Sequence, residues 1–370
     1  MQSDLNDLKR RARGGLLGAA IGDAMGAPCE GMSASAIRER YGVVTDFVSD
    51  AAVGTDDTDF TLFNAHILLT YGVQVTAAQV EAEWRDKLLI GQYDYRPGGF
   101  SDVVSTRNLQ AGLHAPQSGA FNHQMWSDGV AMAISAAGIA CPGVPQAAAR
   151  LAAVLGCVSN ARDGIYAAQA VAAAISMAMA GASPAAMVEA AVGAALPHSW
   201  THRALARAQR IGREAASLDD ALPAIEGALV VPWWPWADLA TEAVPLAMAV
   251  FLAAGGDIAR AVPAGVRLGR DADTIGAIVG SLAGAYGGET AIPAAWRARV
   301  QASTGRCIGF IAGRQITDIA DALAEQAWQR GRHDRGRGSL SGRDVRACLW
   351  RRDWLPGALP PLPGHAEEAA

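Results

Sequence analysis

Apolar positions along this chain come in Ala-rich runs of 10 to 20 residues, broken by clusters of Gly, Pro and Asp. Strict apolar/polar alternation, the mark of a half-buried strand, is nearly absent. The runs predict helices over 7–26, 58–72, 77–90, 128–140, 145–157, 164–180, 184–194, 201–215, 239–254, 257–267, 274–286 and 317–329. No repeat of fixed period is visible, and no linker-like stretch interrupts residues 1–328, so the pattern predicts one all-α domain over that span. The remainder differs. Eight Arg fall between Gln329 and Arg352, and the chain closes on LPGALPPLPGHAEEAA. An Arg-, Gly- and Pro-rich stretch cannot build a core, so 329–370 is expected to be a disordered or peripheral tail.

One run needs a decision. Residues 164–188 carry no charge over 25 positions, long enough to cross a bilayer. The run is mostly Ala, however, contains Gly181 and Pro184, and has no flanking aromatic belt. It therefore reads as the buried centre of a helical protein rather than a membrane span. Composition agrees: 51% of residues are apolar and 18% charged, which excludes general disorder. A net charge of −5 gives no basic footprint for nucleic acid. The five Cys are scattered without a CxxC pair, so neither a disulfide framework nor a zinc site is expected. With no signal-peptide pattern at the N-terminus, the expected location is cytoplasmic.

Two acidic clusters carry the candidate chemistry. Thr55-Asp56-Asp57-Thr58-Asp59 precedes the apolar run FTLFNAHILL, and Asp271-Ala272-Asp273-Thr274 precedes IGAIVGSLAGAYGG. Each lies where a loop turns into a helix, at the positive end of the helix dipole. Capping accounts for one Asp or Thr at such a place. It does not account for several mutually repelling carboxylates, which a fold keeps together when something neutralises them. Hard divalent cations such as Mg²⁺ and Mn²⁺ do so through carboxylate and hydroxyl oxygens. In an extended loop Asp271 and Asp273 would face one side, and adjacent Asp56 and Asp57 could reach two ions about 3.5–4 Å apart. A third element, Gly22-Asp23-Ala24-Met25-Gly26-Ala27-Pro28-Cys29-Glu30, ends a helix at Pro28 and leaves Glu30 on a loop.

In this order and at these separations, GDAMGAPCE, GTDDT, SDGVAMAI, GRDADTIGAIVGSLAGAYGG and IPAAW resemble the motifs of the ADP-ribosylglycohydrolase family over roughly residues 12–300. The resemblance implies an all-α, compact orthogonal helical bundle with a central cleft holding two divalent cations, Mg²⁺ or Mn²⁺. It implies metal ligation by Thr55, Asp56, Asp57, Asp271, Asp273 and Thr274. Catalytic roles would fall to Glu30, as the mobile acidic residue beside the metals, and to Asp56 and Asp57. The loop Trp126-Ser127-Asp128-Gly129 would lie against ADP-ribose. The implied reaction is metal-dependent hydrolysis at the ribose anomeric carbon of an ADP-ribosylated protein or small molecule. The sequence departs from many relatives in carrying Asn160 at a ligand-holding position where they have His, and Ala133 and Ala136 where they have Arg and Pro. Asn160 can still hydrogen-bond a ligand but cannot become cationic. These departures bear on the substrate more than on the metals, and leave open another ribosyl or nucleoside-like substrate, or a silent ADP-ribose-binding or structural member.

Three further features stand apart. His198 and His202, four apart, would share a face if both lay on a helix, though an ordinary polar helix start explains them as well. Residues 230–238, VVPWWPWAD, form a rigid aromatic segment suited either to stacking a ligand or to plugging the core. The glycines of GGLLGAAIGDAMG follow no strand and are not a dinucleotide fingerprint.

Overall fold

A computed structural model describes residues 4–91 and 94–336. Among these the regular elements are all helical, and extended pairing is limited to isolated bridges such as Ser33 with Gly269 and Ser127 with Leu239. The helices are α1 (Leu5–Gly26), α2 (Ala34–Tyr41), α3 (Asp56–Tyr71), α4 (Ala77–Lys87), α5 (Phe100–Gln110), α6 (Gln117–Ala120), α7 (Ser135–Ala140) and α8 (Pro145–Gly156). They continue with α9 (Asp163–Met179), α10 (Pro184–Ala194), α11 (Trp200–Glu214), α12 (Leu218–Leu229), α13 (Ala240–Ala253), α14 (Ile258–Val266), α15 (Ala272–Gly287), α16 (Ala294–Arg299) and α17 (Ile316–Gly336).

Side-chain caps explain several starts. Ser33, Ser183, Ser199, Ser217 and Asp257 each accept a backbone N–H of the helix that follows, and Thr76 and Gln79 close a reciprocal capping box on α4. The uncharged run from residue 164 becomes α9, buried along its length among α7, α8, α10, α13 and α15. Among the described residues no helix is long and apolar enough to cross a membrane.

The structure redraws several sequence-based boundaries. The run 128–140 is helical only from Ser135, because residues 126–134 form turns that carry polar groups into the cleft described below. Helices α2, α5, α12 and α16 have no long apolar run and escape periodicity; α12 carries Pro223 within it. At the other end α17 continues to Gly336, into the segment expected to be tail, and the rest of that segment lies outside the described residues. Helix α11 starts at Trp200, leaving His198 outside it, so the two His do not share a helix face.

One contact organises the fold around the cleft. Helices α1 and α15 run antiparallel with Gly14, Gly18, Gly22 and Gly26 against Gly284, Gly280, Gly276 and Ala272. A methyl placed on Gly18 would lie 2.1 Å from the Gly280 carbonyl oxygen, and one on Gly22 2.0 Å from that of Gly276. Four-residue spacing on both helices keeps these positions on one stripe each, so the two backbones touch directly. The C-terminal end of α1 thereby meets the N-terminal end of α15, and each of these ends carries acidic residues.

Candidate metal and catalytic cleft

Asp23, one turn before the end of α1, is fully buried. Its Oδ1 accepts the Thr55 hydroxyl at 2.7 Å, and its Oδ2 accepts the Thr55 N–H at 2.8 Å, the Thr58 N–H at 3.0 Å and the Thr58 hydroxyl. Thr55 offers α3 no side-chain cap of its own, so α3 is capped from α1. Sequence reasoning quoted Asp23 within GDAMG but gave it no role. The signal that could have found it is the helix start of α3 itself, where neither Thr55 nor a preceding residue supplies the missing acceptor.

This cap delivers the first acidic cluster. Carboxylate oxygens of Asp23, Asp57 and Asp273 lie within 4.8 Å of one another, and all three residues are buried. The Thr274 hydroxyl donates to Asp57 Oδ1 at 3.2 Å across the junction of α3 and α15. Because the Thr55 and Thr274 hydroxyls spend their protons on Asp23 and Asp57, their lone pairs remain open to a cation. Asp23 already accepts four hydrogen bonds, so it supports Thr55 and Thr58 rather than serving as a ligand. Asp271 and Asp273 do not lie in an extended loop as expected. Asp271 is the N-cap of α15 and Asp273 sits in its first turn, where the helix dipole meets both carboxylates.

The electrostatics are those of an overloaded acidic site. Burial, then Asp23, Asp56 and Asp271, holds the Asp57 carboxyl well above its ordinary range; burial, then Asp271, Asp57 and Glu30, does the same for Asp273. Among the described residues no basic side chain neutralises either. Asp56 is raised chiefly by burial, and Asp23 by burial to about 7. Gly98 covers Asp56 so closely that a methyl there would lie 2.1 Å from its Oδ2. Close by, burial and then Asp56 bring Asp102 to about 7. Buried carboxylates and two oriented hydroxyls, with no basic partner beside Asp57 or Asp273 among the described residues, are the donor set that Mg²⁺ or Mn²⁺ takes.

Glu30 follows the 3-10 turn Ala27–Cys29 and lies exposed at the mouth of this cleft. Its loop is tied to the second cluster by Gly31 N–H to the Arg270 carbonyl at 2.8 Å and Arg270 N–H to the Met32 carbonyl at 2.7 Å. Partial burial, then Asp271 and Asp56, brings its carboxyl to about 7.

The loop 126–129 borders the same acidic cluster. Ser127 and Asp128 are buried, and Asp128 N–H donates to the Asp238 carbonyl at 3.1 Å. The Asp128 carboxyl is raised by burial and by Asp271, Asp238 and Asp57, and its Oδ2 is buried without a partner. Asn160 stands behind this loop: its Nδ2 donates to the Ser127 carbonyl at 2.9 Å and hydroxyl at 3.2 Å, while its Oδ1 is buried without a partner. Gly164 must lack a side chain, since a methyl would meet the Met125 carbonyl at 2.3 Å. Trp126 packs edge-on against Trp234, with centroids 5.0 Å apart, which brings residues 230–238 beside the cleft. The structure thus gathers the candidate residues from the acidic clusters, from Glu30 and from loop 126–129 around one cleft. Asn160 lies one layer behind, and Asp23, Asp102 and Asp238 join them.

A model of the ADP-ribosylglycohydrolase family matches residues 4–333. A protein of Archaeoglobus fulgidus described as uncharacterized is 30% identical over 140 residues, 36% of this chain. The chain spans 43% of that relative's length. A solved structure described as an ADP-ribosylglycohydrolase-related protein complex aligns with a TM-score of 0.62 at 23% identity, covering 87% of this chain and 99% of that one. At that identity the likeness speaks for the fold.

Proposed function

The chain belongs to the ADP-ribosylglycohydrolase family, and on that footing we propose that it is a metal-dependent hydrolase releasing ADP-ribose from an ADP-ribosylated acceptor. The observation that carries this is the meeting of Asp56 and Asp57 with Asp271 and Asp273 at two helix starts, without a basic partner for the buried Asp57 or Asp273.

In this reading Asp56, Asp57, Asp271 and Asp273, with the hydroxyls of Thr55 and Thr274, hold two divalent cations. Such ions, when bound, lower the pKa of a water and polarise oxygens near the bond to be cleaved. The chain's own residues do the rest. Loop 126–129 orients the substrate, fixed from behind by Asn160 and from the side by Asp238. Glu30, on the loop at the open edge of the cleft, offers the carboxylate that handles the proton where the acceptor leaves.

The test is ADP-ribose release from matched arginine- and serine-linked ADP-ribosyl peptides, with Mg²⁺ or Mn²⁺ and with chelator. Metal-dependent release from one peptide supports the reading and identifies the acceptor. Full turnover by Asp56→Ala or Asp273→Ala sinks it. Absence of release from folded, metal-loaded protein redirects the search to other ribosyl compounds, and Asn160→His is then the first reversion to make.

A further inference from the structure

Arg270 occupies a left-handed backbone conformation, φ +59°, between Gly269 and Asp271. Glycine adopts this region freely, whereas a long side chain there is strained, so its retention points to a compensating role. The backbone of Arg270 joins the Glu30 loop, as described. Its side chain turns the other way. Nε donates to Glu242 Oε1 at 2.6 Å, and Nη2 donates to the carbonyls of Trp234 at 3.1 Å and Trp236 at 2.8 Å. Glu242, on α13, is fully buried, and its Oε2 accepts the Val231 N–H at 2.5 Å. One guanidinium therefore fixes residues 231–236 at both ends, directly through two carbonyls and through Glu242 at Val231.

What that segment carries gives the strut its purpose. Trp234 meets Trp126 and, at 5.4 Å, Trp236, so three indoles stand edge to face from the cleft loop outward. The segment then reaches Asp238, whose carbonyl holds Asp128, while the Trp126 carbonyl accepts the Ala240 N–H at 3.3 Å. Loop 126–129 is thus seated on a tryptophan segment that Arg270 ties down.

We propose that Arg270, acting through Glu242 and the carbonyls of Trp234 and Trp236, is a positioning residue that holds the tryptophan segment against loop 126–129. In doing so it sets the affinity for substrate without entering bond cleavage. The affinity half rests on the reading of this cleft as an ADP-ribose site; the structural half does not.

The decisive variant is Arg270→Gly, which removes the strut and relieves the strained backbone together. The coupled-indole signal in circular dichroism should collapse. The Kd for ADP-ribose, measured calorimetrically with Mn²⁺ present, should rise about tenfold, as for other residues that act through a neighbour. KM should rise in parallel with kcat held within about twofold, while Mn²⁺ binding stays as in the parent. Because Arg270→Gly leaves Glu242 buried without its counter-charge, the double variant Arg270→Gly/Glu242→Gln is measured alongside. It keeps the acceptor for Val231 and should show the same loss of ADP-ribose affinity with a near-parental Tm. Arg270→Lys should rescue little, since an ammonium cannot serve a carboxylate and two carbonyls as a planar fork. Parental Kd in both glycine variants, or a collapse of kcat at constant KM, would overturn the proposal. If the parent neither binds nor cleaves, the functional reading has failed instead, and the indole signal alone decides: its persistence in Arg270→Gly overturns the strut, its loss sustains it.

Discussion

Asp23 shows how a single side chain can do two jobs whose loss would be read differently. It closes the first turn of α3 and fixes the direction of the Thr55 hydroxyl, which the proposed function makes a metal ligand. Asp23→Ala should therefore lower stability by about 1–2 kcal/mol, the cost of a lost N-cap, and also weaken metal binding; urea unfolding and a metal titration check the two effects. Asp57 makes the opposite case. Its carboxylate is buried among Asp23, Asp56 and Asp271, so removing the charge relieves repulsion. With chelator present Asp57→Asn should stabilise the protein by on the order of 1 kcal/mol while abolishing hydrolysis, a stability gain at the expense of activity seen when functional sites are neutralised. A lower Tm for Asp57→Asn in chelator would contradict this electrostatic account. At this scale the sequence was informative about charge: Asp56, Asp57, Asp271 and Asp273, with Thr55 and Thr274 beside them, were legible as acidic clusters at helix starts, whereas Glu30 took its role only from the family resemblance. Asp23, Asp102 and Asp238 were not legible, because a lone Asp in a sequence gives no sign that the fold will bring it beside others.

Helices were legible where packing is apolar on all sides, as in α9 and α13, and illegible where a short helix has polar neighbours, as in α2, α5 and α12. The stretch 128–134, expected as the first half of a helix over 128–140, is the instructive miss. Its composition suits a helix, yet the backbone breaks into turns there, and Trp126, Ser127 and Asp128 sit beside the acidic cluster as a result. Nor did the glycine spacing in α1 and α15 reveal from sequence alone that the two stripes face each other. That pairing makes a sharp prediction. Gly280→Leu should cost more than about 3 kcal/mol and leave little soluble protein, since its first carbon would lie 2.0 Å from the Gly18 carbonyl oxygen. Gly227, in α12, has open space around it, so Gly227→Ala should stabilise by about 0.5–1 kcal/mol. Thermal melts of the two variants separate a seam glycine from an ordinary one.

For the whole molecule, the acidic cleft ties folding to pH. Asp23, Glu30 and Asp102 stand at about 7 in the metal-free fold, against ordinary carboxyl values near 4. A carboxyl raised on folding takes up a proton, so its stabilising effect is complete below the unfolded value and is lost as pH climbs through the folded one. In chelator, Tm should fall by on the order of 5 °C between pH 5 and pH 8, and saturating Mn²⁺ should flatten that slope, because a cation held by Asp56 and Asp271 would offset the negative charge that helps to raise these three carboxyls. A Tm that rises with pH in chelator would refute it. The seam between α1 and α15 has a consequence for how such a molecule can change over evolutionary time. Where two main chains touch, the offset between the acidic ends is set by the van der Waals contact of the backbones themselves, which leaves side-chain repacking elsewhere little room to retune it. The tryptophan segment is held instead by side-chain contacts from Arg270 and Glu242. Under the proposed function, substitutions in residues 230–238 that keep the Arg270 contacts would change which acceptor fits while the offset between the acidic helix ends stays as the seam fixes it.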